Sequence, residues 1–144
     1  MMPELNIAAF LDGRPGHEKQ TRSILTAMAS ITPLNVYTRS LKPSHGIQRF
    51  LEGLKAFLPD RKLSADSSGL KVDMIIGTGS TTHLPMIAMK RRSKAKLVTC
   101  MTPDPLLLRC FDLCLVPRHD NPPQRHNIFT TISIRKQLTK RTGQ

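Results

Sequence analysis

The sequence predicts an α/β domain built on a doubly wound, parallel, Rossmann-like sheet. Three observations predict it. Short apolar runs alternate with amphipathic stretches along most of the chain, which is the grammar of strands and crossover helices. The clearest run, Leu5 to Leu11, is apolar at nearly every position rather than at every second one, as a strand buried on both faces of a parallel sheet must be. Finally, two runs end in glycine-bearing turns, Asp12-Gly13-Arg14-Pro15-Gly16 and Gly77-Thr78-Gly79, each followed by an amphipathic stretch. A strand, a tight turn and a helix N-terminus aim free backbone N–H groups at one point.

The elements follow in order. Leu5 to Leu11 is the first strand. From Gly16 to Ile31 a helix places Ile24, Leu25, Met28 and Ile31 at helical spacing, and Pro33 ends it. A second strand lies in Leu34 to Leu41. Ile47, Phe50, Leu51, Leu54, Phe57 and Leu58 form the apolar stripe of a second helix, stopped by Pro59, and residues 60 to 71 read as a polar connection. Val72 to Ile76 is the third strand and runs into the second glycine turn. A helix through Leu84, Ile87, Ala88 and Arg91 leads to a fourth strand at Ala95 to Cys100, closed by Met101-Thr102-Pro103-Asp104-Pro105. A turn at Leu106 to Arg109 precedes a fifth strand at Asp112 to Val116, and Asn127 to Ile132 forms a sixth. The simplest order sets the first and third strands side by side, so that their loops flank the switch point where such sheets bind ligands. The loops at Thr102-Pro103-Asp104 and Arg118-His119-Asp120 leave the same carboxyl edge, giving four polar loops on one rim.

Composition narrows the function. At 144 residues, with 39% hydrophobic and 22% charged residues, the chain holds one domain rather than two. No apolar run reaches the length of a membrane span, and the start lacks the basic and apolar regions of a signal peptide. Three cysteines, Cys100, Cys110 and Cys114, fit no disulfide framework and suit a reducing compartment. The expected location is cytoplasmic, with peripheral contact at the inner membrane left open. A net charge of +12 favours anionic partners: a phosphate, a sugar nucleotide or an acidic lipid surface. Nucleic acid is not expected, because only 4% of residues are aromatic and no binding motif is present. The cluster Lys90, Arg91, Arg92, Lys94 and Lys96 is read as cations at a helix C-terminus, where the macrodipole favours them.

The candidate site residues come from the four loops. Gly13 and Gly16 permit turns that a side chain would obstruct, Asp12 can accept from hydroxyls, and Arg14 and His17 can engage a phosphate or sugar hydroxyl. Gly77 and Gly79 bracket Thr78, while Ser80 and Thr81 supply hydroxyls at a helix start and one of them is expected to cap it. This is neither a dinucleotide fingerprint, for lack of the third glycine, nor a phosphate-binding loop, for lack of the lysine. His83 is read as a partly buried packing residue. Thr102 and Asp104 sit in a proline-stiffened loop. Arg118 can hold a phosphate, His119 can act as acid or base, and Asp120 adds a carboxylate. His17, Asp104 and His119 are the candidate catalytic groups. No metal site is expected: Cys110 and Cys114 lack paired zinc spacing, and Cys114 points into a strand core.

The segments DGRPGHEKQ, IIGTGSTTHLPM, KLVTCMTPDPLLLRCFDLCLVPRHD and PPQRHNIF together resemble the mitochondrial fission Elm1-like family, over residues 5 to about 131. The family includes a plant elongated-mitochondria protein and bacterial proteins described as glycosyltransferases. The resemblance implies one half of a two-domain GT-B-type glycosyltransferase, with the site in the cleft between two Rossmann-like domains. The N-terminal half of that architecture receives the acceptor, a glycan or glycolipid. The other half grips the nucleotide-sugar donor, which is a substrate, and no covalently bound cofactor is implied. Asp12, Gly13, Gly16, Gly77, Gly79, Ser80, Thr81, Asp104, Arg118, His119 and Asp120 occupy the motif positions that would line the cleft. Family members continue into a second domain, whereas this chain stops at Gln144 after a basic stretch that carries Arg135, Lys136, Lys140 and Arg141 and no acid. The expected organisation is therefore a Rossmann-like domain over 1–131 and a basic tail over 132–144, with a truncated family member as the implied state. A non-enzymatic module docking an anionic membrane surface, or an inactive remnant, are the competing expectations.

Overall fold

A computed structural model describes residues 2–41 and 71–132. The helix read from the Ile47 to Leu58 stripe and the tail beyond residue 132 lie outside the described residues. The observed order is β1 (Leu5–Leu11), α1 (Pro15–Ala29), β2 (Leu34–Ser40), β3 (Met74–Gly77), α2 (Ser80–Arg92), β4 (Lys96–Thr99), β5 (Leu113–Pro117) and β6 (Ile128–Thr131), with single 3-10 turns at Leu108–Cys110 and Arg118–Asp120. Among the described residues six strands form one sheet, all parallel, in the order β2-β1-β3-β4-β5-β6. The chain therefore winds outward from the junction of β1 and β3, and the fold is α/β and Rossmann-like.

Side chains alternating along the strands feed two apolar layers. Ile7, Ala9, Ile76, Val98 and Cys100 form one, covered by Ile24, Leu25 and Met28 of α1. Ala8, Phe10, Ile75, Leu97, Cys114 and Val116 form the other, with Met86 and Ile87 of α2 and with Phe111. Helices thus cover both faces, and this is why β1 is apolar at consecutive positions. Truncating a wholly buried strand residue such as Ile75 to alanine removes about 2–5 kcal/mol. By contrast β2, at the edge, is exposed from Val36 to Ser40.

The helix α2 starts at Ser80, where the sequence reading puts a helix start, and Pro85 falls inside it. The ladder then lacks the bond that residue 85 would give to the Thr81 carbonyl. One detail of α2 differs from that reading. Its N-cap is Gly79 with no side-chain cap bond, so neither Ser80 nor Thr81 caps the helix. Thr82 Oγ1 donates to the Gly79 carbonyl at 2.6 Å, a bond that satisfies none of the first-turn N–H groups. At the other end, Lys90, Arg91 and Arg92 occupy the last turn, as the cation cluster predicts. Lys90 Nζ reaches Asp112 Oδ2 at 2.6 Å, and the same oxygen accepts the Leu97 N–H at 2.7 Å. Burial opposes ionisation of Asp112, but Lys90 and that amide outweigh it and hold the carboxyl below its usual range.

Candidate functional site

Register brings the site together. Phe10 pairs with Gly77 and Gly77 with Thr99, so Asp12, Gly79 and Met101, each two residues further on, leave the sheet at one level. Adjacent strands lie about 4.8 Å apart, and the three loops touch. The Gly79 N–H points to Met101 Sδ at 3.2 Å. A Cβ built on Gly79 would collide with Asp12 Oδ2 and come within 2.7 Å of His17 Nδ1. Gly79 also has φ +112°, outside the reach of ordinary side chains. Its glycine is required twice over, by conformation and by the neighbours that lean on it.

Those neighbours form a pair. His17 Nδ1 lies 2.6 Å from Asp12 Oδ2, while Asp12 Oδ1 accepts the Arg14 N–H at 3.0 Å. The Asp12 side chain is only 4% exposed, whereas that of His17 is 32% exposed. Gly13 makes the turn possible with φ +82°. A carboxylate oxygen only accepts, so Nδ1 carries the hydrogen of the pair. Nε2 has no partner among the described residues.

Donors surround the pair. Pro15 opens α1 and has no N–H, Glu18 N is spent on Arg14 O, and Gly16 and His17 occupy the free first turn. In α2, Thr82 N is spent on Gly79 O, which leaves the Ser80 and Thr81 N–H groups at the helix end. Gly16 itself has open space around its Cα and no positive φ, so the expected conformational reason for a glycine there is not found. Gly77 is a packing glycine: a Cβ would meet Met86 Sδ at 2.7 Å and Phe10 Cβ at 3.2 Å.

Beneath the loops lies a buried polar layer. Thr21 Oγ1 and Thr78 Oγ1 are 2.9 Å apart and fully buried, and Thr78 also bonds the Cys100 thiol. His83 is buried, edge-on to Phe111 with ring centroids 4.9 Å apart, and its Nε2 lies 3.3 Å from Thr99 Oγ1. Burial pushes its pKa down to about 4, so the ring is neutral and structural at ordinary pH.

The remaining candidates stand apart from this group. Asp104 is exposed; its carboxylate accepts the Leu106 N–H at 3.0 Å and its carbonyl accepts those of Leu107 and Leu108, so it organises its own turn. Thr102 is half-buried in the same loop. Arg118, His119 and Asp120 form the 3-10 turn after β5, with His119 Nε2 3.3 Å from Asp120 Oδ1 and both well exposed. That turn is three strand spacings, about 14 Å, from the end of β1. Hence the first, second and third loops meet, and the fourth flanks them. Sequence reasoning missed Thr21 and Met101. Thr21 was within reach, since His17, Thr21, Ile24 and Met28 repeat at helical spacing. Met101 carried no signal. Among the described residues no group of three or more His, Cys, Asp and Glu side chains could hold a metal ion, and no helix is long and apolar enough to cross a membrane.

A parallel sheet wound outward from a switch point that carries a carboxylate–imidazole pair places the domain in the class of Rossmann-like α/β folds. Within it, this chain belongs to the family described as Mitochondrial fission ELM1, whose family model matches residues 15–142. The match takes in every site loop except the first residues of the β1 turn, and extends into the basic C-terminal stretch. No curated protein and no solved structure matches the chain significantly.

Proposed function

We propose that this domain is the acceptor-side half of a sugar-nucleotide-dependent glycosyltransferase, with His17 as general base. The observation that carries the reading is the Asp12–His17 contact of 2.6 Å at the β1–β3 switch point. A buried carboxylate beside the open end of two helices disfavours a phosphate there, since the two anions would repel. It favours a neutral hydroxyl, which can donate to His17 Nε2 and accept from the Ser80 and Thr81 amides. In transfer, the acceptor O–H gives its proton to His17 as its oxygen bonds the anomeric carbon. The bond from that carbon to the nucleoside diphosphate breaks, and the diphosphate leaves with the electron pair. Asp12 fixes the tautomer and steadies the imidazolium that forms.

The test is release of nucleoside diphosphate when the protein, supplied with the donor-side half of a two-domain family member, is incubated with a panel of sugar nucleotides and short glycan or glycolipid acceptors. Acceptor-dependent release is expected, falling by about 10²–10⁴ in His17→Ala, with the fold intact by circular dichroism. Release that is absent across the panel, or unchanged in His17→Ala, overturns the reading. The non-enzymatic alternative draws on the net charge of +12 and predicts flotation with anionic vesicles and no such release.

A further inference from the structure

We propose that the depression between the β5–β6 connection and β6 is an anion site, taking a phosphate ester or diphosphate on Arg118 and Arg125. It lies apart from the Asp12–His17 pair, beside β5 and β6 rather than β1 and β3. The depression has a volume of about 600 Å³ and is lined by Arg118, Asn121, Gln124, Arg125, His126 and Thr130, among others. That volume lies within the range of small-ligand pockets. Among the described residues its walls hold no Asp or Glu.

Three further observations support a built site. First, neither guanidinium has an ion pair or a hydrogen-bond partner among the described residues. Other cations are engaged: Lys90 with Asp112 and Lys71 near Asp73 at 3.9 Å. Two unpaired guanidiniums on one concavity repel each other, and an anion bridging them relieves this with forked hydrogen bonds. Second, the connection is held in place. Asn121 adopts φ 51° and its N–H bonds Arg118 O at 3.2 Å; Pro122 and Pro123 fix the next two φ angles. Asn127 is buried, donating through Nδ2 to Leu108 O at 2.9 Å and Phe111 O at 3.0 Å, while its carbonyl takes the Cys114 N–H at 2.7 Å. Ile128 N closes onto Arg125 O at 3.1 Å. A pinned connection has little ordering entropy left to lose on binding. Third, the comparable depression on α1 shows what an unremarkable surface looks like. It follows the outer face of one helix, and Glu18 stands beside Lys19 and Arg22.

The same chemistry could come from a soluble phosphate ester or from a phospholipid headgroup, and the experiment separates them. Isotope-labelled protein is titrated with inorganic pyrophosphate at constant ionic strength, following backbone amides, and in parallel is floated with phosphatidic-acid vesicles. Saturable shifts at Asn121, Gln124, Arg125, His126 and Thr130 are expected. Arg118→Gln and Arg125→Gln should each weaken binding about tenfold or more, and Arg22→Gln should leave it unchanged. Pyrophosphate binding without flotation supports the site with a soluble ester as its source. Flotation that pyrophosphate reverses supports it with a headgroup as its source. Binding of neither, or equal weakening by Arg22→Gln, overturns the proposal. Because the readout is binding at residues away from the Asp12–His17 pair, its failure is distinct from a failure of the transferase assay.

Discussion

Asp12 and Gly79 meet across adjacent strands: the carboxylate Oδ2 occupies the space that a Cβ on residue 79 would need. The turn after β1 and the turn after β3 are therefore one structural unit. Its geometry depends on the absence of a side chain at a single position, and the His17 ring is held against the same point.

Gly79→Ala should expose that dependence. The substituted residue must hold φ +112°, which costs about 1–3 kcal/mol, and must also displace Asp12 or move the α2 start. We expect a loss of at least about 2 kcal/mol in urea unfolding and a shift of the His17 ring resonances. Gly16→Ala, in open space and with helical backbone, should be neutral or slightly stabilising. Equal effects from the two substitutions would remove the coupling between the turns.

The three cysteines should differ sharply in reactivity. Cys100 and Cys114 are buried and Cys110 is only partly so. Burial raises the Cys100 thiol, partly offset by its bond from Thr78, and pushes Cys114 up to about 11. Thiolate is the reactive form, so a thiol reagent at pH 8 should count one fast group, absent in Cys110→Ser. Two or three fast thiols in the folded protein would contradict the packing of β4 and β5.

How far the sequence discloses this arrangement depends on what each feature is made of. β1 and β3 are legible because burial on both faces leaves consecutive apolar residues, and the β1–β3 adjacency follows from the winding rule. The Elm1-like membership is legible from long motifs in order. The start of α2 is legible from the Ser80 and Thr81 hydroxyls, and Pro85 within the helix removes only one ladder bond. The role of Gly79 as N-cap is not: Ser80 and Thr81 offer better capping chemistry, but the +112° backbone needs glycine at the residue before them. The Asp12–His17 pair joins residues five apart across a turn, and no helical or strand period predicts it. Arg118 and Arg125 come together only because the β5–β6 connection crosses back without a helix. Local pattern determines elements; contacts between loops arise from register, which the pattern does not contain.

His83 gives the clearest dependence on pH. Burial lowers its pKa from 6.5 to about 4, so between these values the unfolded chain binds a proton that the folded chain refuses. Stability then rises with pH across that window and falls as the medium is acidified. Above about pH 6.5 the effect is absent, because both states are neutral; below about pH 4 it is fully developed, because both are charged. The whole span corresponds to about 3 kcal/mol, and about 2 kcal/mol of it should be lost by pH 5. His83→Gln removes the titration while keeping a group that can bond Thr99 Oγ1, although it gives up the edge contact with Phe111. The variant should therefore be less stable than the parent at pH 7 and lose less on going to pH 5, so that the two urea midpoints converge. Parallel midpoints at both pH values would place the acid sensitivity elsewhere and show that the His83 ring reaches water.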